Sequence, residues 1–331
     1  MKPRLLVLEL WGLGDLVIAT RFLRAASERY EVTLVAKPFG RELQPRLWPE
    51  VRVLTLVAPW TAFRGKYRLW LWPWRELFQI TRQLRMERFD VGVSGRWDPR
   101  DHAWLRLVRA RERIGFPRLG SQCWLTRPLP RPEPEAHRYE HWRVLGQALG
   151  LNLPPRGSWS PPARPTSSMI LIHTGAGQPV RVWPLDRYHQ LVRRLRSLGW
   201  RVQVACDPQQ TDWWRQAGET QVVAPRTVAE LLRLIDDAAI FIGNDSGPGH
   251  LAACCGVPTF TLFGPQLPEW FAPLHPQARW IEGKPCPFKP CSDYCRWPRP
   301  VCLENLTFEE VWPAVADFVR NVALASAPSR T

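Results

Sequence analysis

The sequence contains no apolar run approaching the roughly 18 residues that mark a membrane-spanning helix. The one apolar stretch near the N-terminus, in MKPRLLVLELWGLGD, is short, interrupted by Glu9 and followed by glycine and aspartate. This pattern predicts a first β-strand and excludes a secretory signal peptide. We therefore expect a cytoplasmic protein. Its 331 residues, 45% of them apolar, suffice for two domains of ordinary size.

Two signatures of nucleotide-dependent redox enzymes are also absent. The loop after the first predicted strand, WGLGDLV, begins like the dinucleotide fingerprint G-x-G-x-x-G, but Val17 stands where the third glycine is required. The chain has no Tyr-x-x-x-Lys pair. A nucleotide-sugar epimerase or dehydrogenase is therefore a weak alternative function.

Acidic residues are scarce in one half of the chain. The whole sequence has 45 Lys and Arg against 30 Asp and Glu, a net charge of +15, and nearly all the positive residues are arginine. Residues 1–160 hold 28 basic and 15 acidic side chains (+13), and residues 161–331 hold 17 and 15 (+2). The N-terminal half is therefore expected to face an anionic partner: a membrane, a glycolipid or a nucleic acid. A basic nucleic-acid-binding protein without catalysis is the second alternative.

The order of the predicted elements indicates two open α/β domains. In the first half, strands are predicted at Arg4–Leu10, Glu31–Ala36, Val51–Leu56, Phe89–Val93 and Arg113–Phe116, with helices at Leu16–Arg29, Leu69–Arg88 and His137–Leu149. In the second, strands are predicted at Ser168–His173, Arg201–Ala205, Ala239–Ile242 and Thr259–Phe263, with helices at Leu185–Leu198, Thr227–Ile235, Gly249–Cys255 and Thr307–Val322. The proline-rich stretch Leu153–Thr166 between them is typical of a linker. Parallel sheets in domains 1–160 and 161–331 would place a ligand cleft at the carboxyl ends of their strands.

Asp15 is the candidate catalytic base. It follows the first strand behind Gly12 and Gly14, in the first helical turn, where the helix dipole keeps a carboxylate ionised. A carboxylate that faces the ligand can take a proton from an acceptor hydroxyl, and placement would contribute more than basicity. The alternative is an aspartate that only caps its helix.

Two further turns in the second half are suited to a diphosphate. In HTGAGQPVRVWP, Gly175 and Gly177 allow a phosphate close to the backbone, and Thr174 offers a hydroxyl. Arg181 could neutralise a departing diphosphate.

The second of these turns, IGNDSGPGHLAA, leads from an apolar strand into a helix near Pro248. The helix N-terminus favours an anion, and the candidate anion-binding residues there are Asp245, Ser246, Gly247 and His250. A well-capped turn with no ligand is the alternative for each.

Three stretches, LLVLELWGLGDLVIAT, HTGAGQPVRVWPLDRYHQL and IGNDSGPGHLAACCGVPTFTLFGP, together resemble glycosyltransferase family 9, which includes the ADP-heptose:lipopolysaccharide heptosyltransferases. The resemblance implies a GT-B fold, two facing Rossmann-like domains with a cleft between them. It implies that the C-terminal domain binds a nucleoside diphosphate sugar and the N-terminal domain a lipid-linked saccharide. The implied reaction is inverting sugar transfer without a metal, at the inner face of the cytoplasmic membrane, with no nucleic acid partner.

The resemblance also assigns roles to single residues. It makes Asp15 the base and Arg181 the group that stabilises the leaving diphosphate. It places Asp245, Ser246, Gly247 and His250 at the nucleotide diphosphate. The sequence departs from the family at Trp11, where small hydroxylated residues are common, and at Arg181, where lysine is frequent.

Four cysteines, Cys286, Cys291, Cys295 and Cys302, share one proline-rich loop. In a reducing compartment such a group suggests a metal more than disulfides, but the spacing is not that of a zinc ribbon. A structural zinc or iron–sulfur site and free thiols or a disulfide are the alternatives.

The segment from Trp60 to Arg88 interleaves aromatic and basic residues, with seven Lys and Arg against two acids. This composition is typical of a segment at a membrane interface. It also fits a nucleic-acid surface, or a helix whose tryptophans face the core. The family resemblance favours the membrane.

Overall fold

The computed structural model describes residues 2–158, 160–162, 164 and 167–326. The chain divides into two compact units, Met1–Pro155 and Arg156–Thr331. The division falls inside the predicted linker, of which residues 159, 163, 165 and 166 lie outside the described residues. Each unit is a parallel β-sheet connected by helices, so the predicted α/β class is confirmed.

The first unit has six parallel strands in the order β3-β2-β1-β4-β5-β6. The strands are β1 (Arg4–Glu9), β2 (Glu31–Ala36), β3 (Arg52–Thr55), β4 (Val91–Ser94), β5 (Glu112–Gly115) and β6 (Arg127–Pro128). The helices are α1 (Leu13–Ile18), α2 (Thr20–Arg29), α3 (Phe39–Leu47), α4 (Trp74–Glu87), α5 (Pro99–Val108) and α6 (Arg138–Ala148).

The second unit has five parallel strands in the order β11-β10-β9-β7-β8. The strands are β7 (Met169–His173), β8 (Arg201–Ala205), β9 (Ala238–Asn244), β10 (Thr259–Phe263) and β11 (Arg279–Glu282). The helices are α7 (Leu185–Ser197), α8 (Thr211–Gln216), α9 (Val228–Asp236), α10 (Gly247–Cys254), α11 (Pro268–Phe271), α12 (Val301–Glu304) and α13 (Phe308–Ser326). A single parallel bridge from Val223 to Ala205 lies beyond β8.

Both units are wound in the same way. In each sheet, the first strands of the unit are added outward from a central strand on one side, and the later strands are added on the opposite side of that central strand. With Val223 counted as a one-residue strand, both sheets have the strand order 3-2-1-4-5-6 of a doubly wound fold. The winding direction changes beside β1 in the first unit and beside β7 in the second. Ligands of such sheets bind at the carboxyl ends of the strands at this point.

The central strands explain why the sheets form. Five consecutive residues of β1, Leu5 to Glu9, are buried, as are all five of β10. Strands covered on both faces are apolar along their length rather than alternating. The exceptions are Glu9, whose carboxyl is buried at the carboxyl end of β1, and the buried hydroxyls of Thr259 and Thr261 in β10.

Three predicted strands, Glu31–Ala36, Arg201–Ala205 and Thr259–Phe263, match the structure residue for residue. The last helix, predicted from Thr307, begins with a capping box. Thr307 N–H donates to Glu310 Oε2 at 2.9 Å, and Glu310 N–H donates to Thr307 Oγ1 at 3.3 Å.

The predicted helix Leu69–Arg88 is wrong in its first part. Leu69–Leu71 forms a short 3₁₀ turn, and α4 begins only at Trp74. Trp72 has an extended backbone (φ −71°, ψ 143°) because the ring of Pro73 excludes the helical conformation from the residue before it.

The predicted helix Leu16–Arg29 begins three residues earlier, at Leu13, and is divided at Ala19, where ψ is only −10°. Helices α3 and α5 were not predicted. Among the described helices, none has both the length and the apolar character needed to cross a bilayer.

A buried carboxyl joins the aromatic core of the first unit. Asp101 on α5 is fully buried and accepts hydrogen bonds from Trp60 Nε1 at 2.9 Å and from Ser94 Oγ at 2.9 Å. Burial raises the pKa of Asp101 from 3.8 to about 7, and the negative charge of Asp98 adds to the rise. The folded protein therefore holds a proton here that the unfolded chain has released.

This proton makes stability pH-dependent. Between about pH 4 and pH 7 the folded state binds more protons than the unfolded state, so the free energy of unfolding falls as pH rises, by at most about 1.4 kcal/mol per unit. Asp101→Asn keeps hydrogen-bonding capacity but carries no charge, so its stability should lack this pH dependence. Between pH 5 and pH 7 we expect its free energy of unfolding to rise by about 2 kcal/mol relative to that of the wild type.

Urea unfolding followed by tryptophan fluorescence at both pH values measures this difference. The exposed Asp212→Asn is the control and should show no gain. Equal pH dependence of Asp101→Asn and wild type would contradict the assignment.

Candidate functional site

In the first unit, Asp15 lies where the winding direction changes. Gly12 is the N-cap of α1, and its N–H donates to Asp15 Oδ2 at 3.1 Å. A side chain at Gly12 would place its Cβ 3.2 Å from the same oxygen. The glycine therefore allows the carboxylate to fold back over the loop. Gly14 lies within α1.

Asp15 is paired with an arginine from the neighbouring central strand. Arg96, two residues after β4, donates from Nη2 to Asp15 Oδ1 at 2.5 Å, and both side chains are about four-fifths buried. Its guanidinium carbon also lies 5.0 Å from the centre of the Trp11 ring. The residue before Arg96 must be glycine, because a Cβ at Gly95 would lie 2.5 Å from the ring of Trp142.

More charged groups surround this pair. Burial raises the pKa of Glu9 to about 8, and the negative charge of Asp15 adds to the rise, so Glu9 is mostly protonated at pH 7. Burial lowers the pKa of Lys37, against the opposing effect of Asp15 and Glu9. Burial also lowers the pKa of Arg138 to about 10, and the charge of Arg96 acts in the same direction. The site thus combines carboxylates with cations that could receive an anionic ligand.

A cavity of about 510 Å³ opens beside these residues. Trp11 and Arg96 line it on the side of Asp15, and Lys66 and Arg118 contribute further positive charge. Arg100 lines it too, paired with Asp98. The indole Nε1 of Trp11 is buried and has no hydrogen-bond partner among the described residues. A polar, anionic ligand could use both the charge and the unpaired donor.

In the second unit, Asn244 at the end of β9 organises the glycine-rich turn after β7. Its Nδ2 donates to Thr174 O at 2.9 Å. Its Oδ1 accepts from Trp183 N–H at 3.0 Å and from Tyr188 Oη at 2.9 Å. All these groups are buried, so one side chain joins β9, the turn after β7 and the start of α7.

The glycine-rich turn itself is tightly packed. The hydroxyl of Thr174 donates to Gln210 Oε1 at 2.9 Å and accepts from Trp214 Nε1 at 3.2 Å, so its donor is already used. Gly175 lies against the carboxylate of Asp207, and no side chain would fit there. At Gly177 a side chain would meet open space. Contact of Thr174 with a phosphate stays a prediction.

Arg181 lies between two carboxylates. Its Nε and Nη2 donate to the two oxygens of Asp293, at 2.7 and 2.6 Å. Its Nη1 reaches Asp245 Oδ2 at 3.3 Å. The two carboxylates hold the guanidinium in place beside α10, and its side chain stays about a quarter exposed. Asp245 therefore faces an arginine, which offsets its negative charge at the start of α10.

The start of α10 is buried around Ser246 and His250, with Gly247 as its first residue. Ser246 is the N-cap, but its hydroxyl donates to Asn244 O at 3.2 Å and makes no cap hydrogen bond. The helix begins at Gly247, two residues before the predicted Gly249, and Pro248 lies in its first turn as the sequence indicated.

The cysteine loop does not assemble a metal site in the part of the chain that is described. No group of three or more His, Cys, Asp or Glu side chains there is arranged to hold a metal ion, and all eight cysteines are free. Burial raises the pKa of Cys291 and of Cys302, which disfavours the thiolates that a metal needs. The described residues thus have the cysteines as free thiols, and the zinc or iron–sulfur site stays a prediction.

Sequence reasoning missed Arg96, Asn244 and Asp293. Asn244 lies within the motif IGNDSGPGHLAA but was not predicted to have a role. An asparagine between a buried strand and a turn is a signal for side-chain hydrogen bonds to the backbone. Arg96 and Asp293 are far in sequence from their partners, at separations of 81 and 112 residues. No local pattern identifies such pairs.

We expect Asn244→Ala to destabilise the second unit, because it leaves Trp183 N–H and the Tyr188 hydroxyl without their partner in the core. It also removes one of the two hydrogen bonds to Thr174 O, which keeps the one from Gln210 Nε2. The expected loss is about 2–4 kcal/mol in the free energy of unfolding, by denaturant titration. Asn321→Ala, which removes an exposed amide on α13, should cost less than about 0.5 kcal/mol. Equal effects of the two variants would refute the central role of Asn244.

Comparison with known proteins places the chain. A lipopolysaccharide heptosyltransferase 3 of Escherichia coli is 34% identical over 104 residues, which cover 29% of this chain and 30% of that protein. The chain thus matches about a third of the length of this curated relative.

Two solved structures share the fold. An Escherichia coli ADP-heptose lipopolysaccharide heptosyltransferase II has a TM-score of 0.73 at 18% identity, covering 96% of this chain and 99% of that one. An Escherichia coli heptosyltransferase solved with ADP has a TM-score of 0.72 at 16% identity, covering 95% and 99%. The fold is therefore the GT-B fold of these proteins. The profile of glycosyltransferase family 9 (heptosyltransferase) matches residues 77–296, more than half of the sequence, and the chain belongs to this family.

Proposed function

We propose that the protein is an inverting glycosyltransferase that moves heptose from ADP-heptose to a lipid-linked saccharide such as the core of lipopolysaccharide. Family membership supports the reaction class. The observation that carries the proposal is Asp15, held by Gly12 N–H and Arg96 at the carboxyl end of β1, beside a basic cavity of about 510 Å³.

Asp15 would act as the general base. The acceptor hydroxyl attacks the anomeric carbon from the face opposite the diphosphate, the bond from that carbon to the diphosphate oxygen breaks, and the hydroxyl proton passes to Asp15. Arg96 and Gly12 orient the carboxylate, so that one oxygen is fixed relative to the acceptor. The protonated Glu9 beneath it adds no second negative charge to the site at pH 7.

The donor would bind in the second unit, at the turns after β7 and β9. The relative solved with ADP supports a nucleoside diphosphate there. Arg181 is the group proposed to stabilise the leaving diphosphate, with Asp293 and Asp245 as its positioning partners. The rest of the phosphate site would be formed by the turn after β7 and the N-terminus of α10. The residues concerned are Gly175 and Gly177 in the turn, and Ser246, Gly247 and His250 at the helix.

Catalysis is proposed to need no metal, since Arg181 can supply the positive charge that the leaving group requires. The cysteine loop is proposed to be structural and metal-free. Its Asp293 links it to the donor site through Arg181.

The acceptor would be anionic and presented at a membrane. Of the aromatic residues between 60 and 88, Trp60 is buried, whereas Tyr67, Trp70 and Phe78 are more than two-thirds exposed. Exposed aromatic side chains among arginines are typical of a segment that lies at a membrane interface. This arrangement favours a peripheral protein at the inner face of the cytoplasmic membrane over one that binds nucleic acid.

Asp15→Asn should lower kcat for heptose transfer about 10²–10⁴-fold while ADP affinity stays the same, because the base contacts the acceptor and not the nucleotide. Release of ADP from ADP-heptose measures transfer, and calorimetry measures ADP binding. Asp212→Asn, an exposed aspartate in the second unit, is the matched control. Near-wild-type kcat in Asp15→Asn would exclude it as the base.

Replacing Arg64, Lys66 and Arg68 by serine should weaken binding to vesicles containing anionic lipid by about 100-fold, since each basic residue near such a surface contributes about 1 kcal/mol. The loss should shrink at high salt, because screening shortens the reach of each charge. The control removes equal charge from exposed arginines of the second unit, Arg193, Arg201 and Arg215. Wild-type sedimentation of the first triple variant with anionic vesicles would contradict the membrane role.

A further inference from the structure

A second cavity, of about 990 Å³, lies between α4 and α5 in the first unit. One wall is a chain of indoles in which the ring of Trp72 lies 5.3 Å from that of Trp74 and 5.6 Å from that of Trp60, and Trp60 lies 5.8 Å from Trp104. Trp104 Nε1 donates to Thr81 Oγ1 at 2.8 Å and so ties α5 to α4 across the floor. Leu77, Phe78 and Leu107 add further apolar surface.

The residues that line this cavity include five arginines and no acidic side chain: Arg82, Arg85, Arg88, Arg100 and Arg109. Arg88 and Arg109 are the C-caps of α4 and α5, and both have a positive φ, 54° and 64°. Glycine is the usual residue in this conformation. The chain thus carries arginine, at a backbone cost, at both helix ends beside the cavity. Arg100 is already paired with Asp98, so the excess positive charge of the rim comes from the other four arginines. Apolar walls with this positive rim complement an anionic amphiphile.

This apolar cavity adjoins the basic cavity beside Asp15. Trp72 and Arg100 line both of them, and the basic cavity reaches Trp11 and Arg96. The indole Nε1 of Trp72 is buried without a hydrogen-bond partner among the described residues, as is that of Trp11. A ligand with acceptor oxygens would satisfy these two buried donors, which line the connected cavities. A molecule with a polar end near Asp15 could therefore place an apolar end between α4 and α5.

We propose that the cavity between α4 and α5 binds an acyl chain of the lipid-linked acceptor. The rim arginines bind a phosphate of this acceptor, and the saccharide of the acceptor extends past Trp72 towards Asp15. This inference rests on the proposed function, because it takes the acceptor of that reaction as the occupant. It deepens that function by assigning to this chain a site that recognises the lipid part of the acceptor.

The first test is binding of a single-chain anionic amphiphile, dodecyl phosphate, below its micellar concentration, by calorimetry. Wild type should bind it, and should bind neither methyl phosphate nor dodecyl maltoside as tightly. Leu107→Asp, which adds a negative charge to an exposed leucine of the wall, should weaken binding about tenfold or more. Leu198→Asp, at an equally exposed leucine of the second unit, is the control and should leave it unchanged. No binding by wild type overturns the cavity as a lipid site.

The second test identifies the occupant. Transfer to an acylated acceptor and to the same saccharide without its acyl chains is compared in both variants. Leu107→Asp should lower kcat/KM for the acylated acceptor about tenfold, through KM, and change it less than about twofold for the deacylated one.

The other outcomes separate the two hypotheses. A Leu107→Asp protein that loses dodecyl phosphate binding but transfers to both acceptors like wild type would show that the cavity holds bulk membrane lipid, and would overturn the acceptor as occupant. A wild-type protein that binds dodecyl phosphate but transfers to neither acceptor overturns the proposed function, and the acceptor as occupant with it.

Discussion

Both units depend on one constraint: a central parallel strand buried on both faces cannot carry polar groups along its length. In β1 and β9 the consequence is a run of apolar residues, and polar side chains appear only where the strands begin or end. Since parallel strands end at the same edge, Asp15 and Arg96 meet there in the first unit. In the second unit, Asn244 and the turn after Thr174 meet in the same way.

Buried charge is handled differently at the two edges. In the first unit, Glu9 lies in the sheet interior and keeps its proton, which leaves Asp15 as the carboxylate that Arg96 balances. In the second, Arg181 is shared by Asp245 and Asp293, so one residue after β9 and one in the cysteine loop fix one guanidinium. The fork-to-fork pair with Asp293 sets the orientation of the guanidinium as well as its charge balance.

The aromatic and basic composition of the first unit serves two structural purposes. Trp60 and Trp104 close the core, with Asp101 as the hydrogen-bond acceptor for Trp60. Trp70 and Phe78 lie at the surface instead, next to arginines. The same amino-acid type is thus core at Trp60 and Trp104 and surface at Trp70, and composition alone could not separate these groups.

The sequence by itself determined the fold class, most strands and the loops that carry Asp15 and Arg181, because apolar periodicity, glycine and proline act over a few residues. It placed Asp15 in the first turn of the first helix, and it identified the family through three motifs. It did not determine the break at Pro73, α3 and α5, or the state of the cysteines. Only the tertiary structure decided that Arg96 pairs with Asp15, that Asp293 holds Arg181, and that α4 and α5 enclose a cavity. Those contacts join residues far apart in sequence, and they exist only because the parallel strands bring distant loops to one edge.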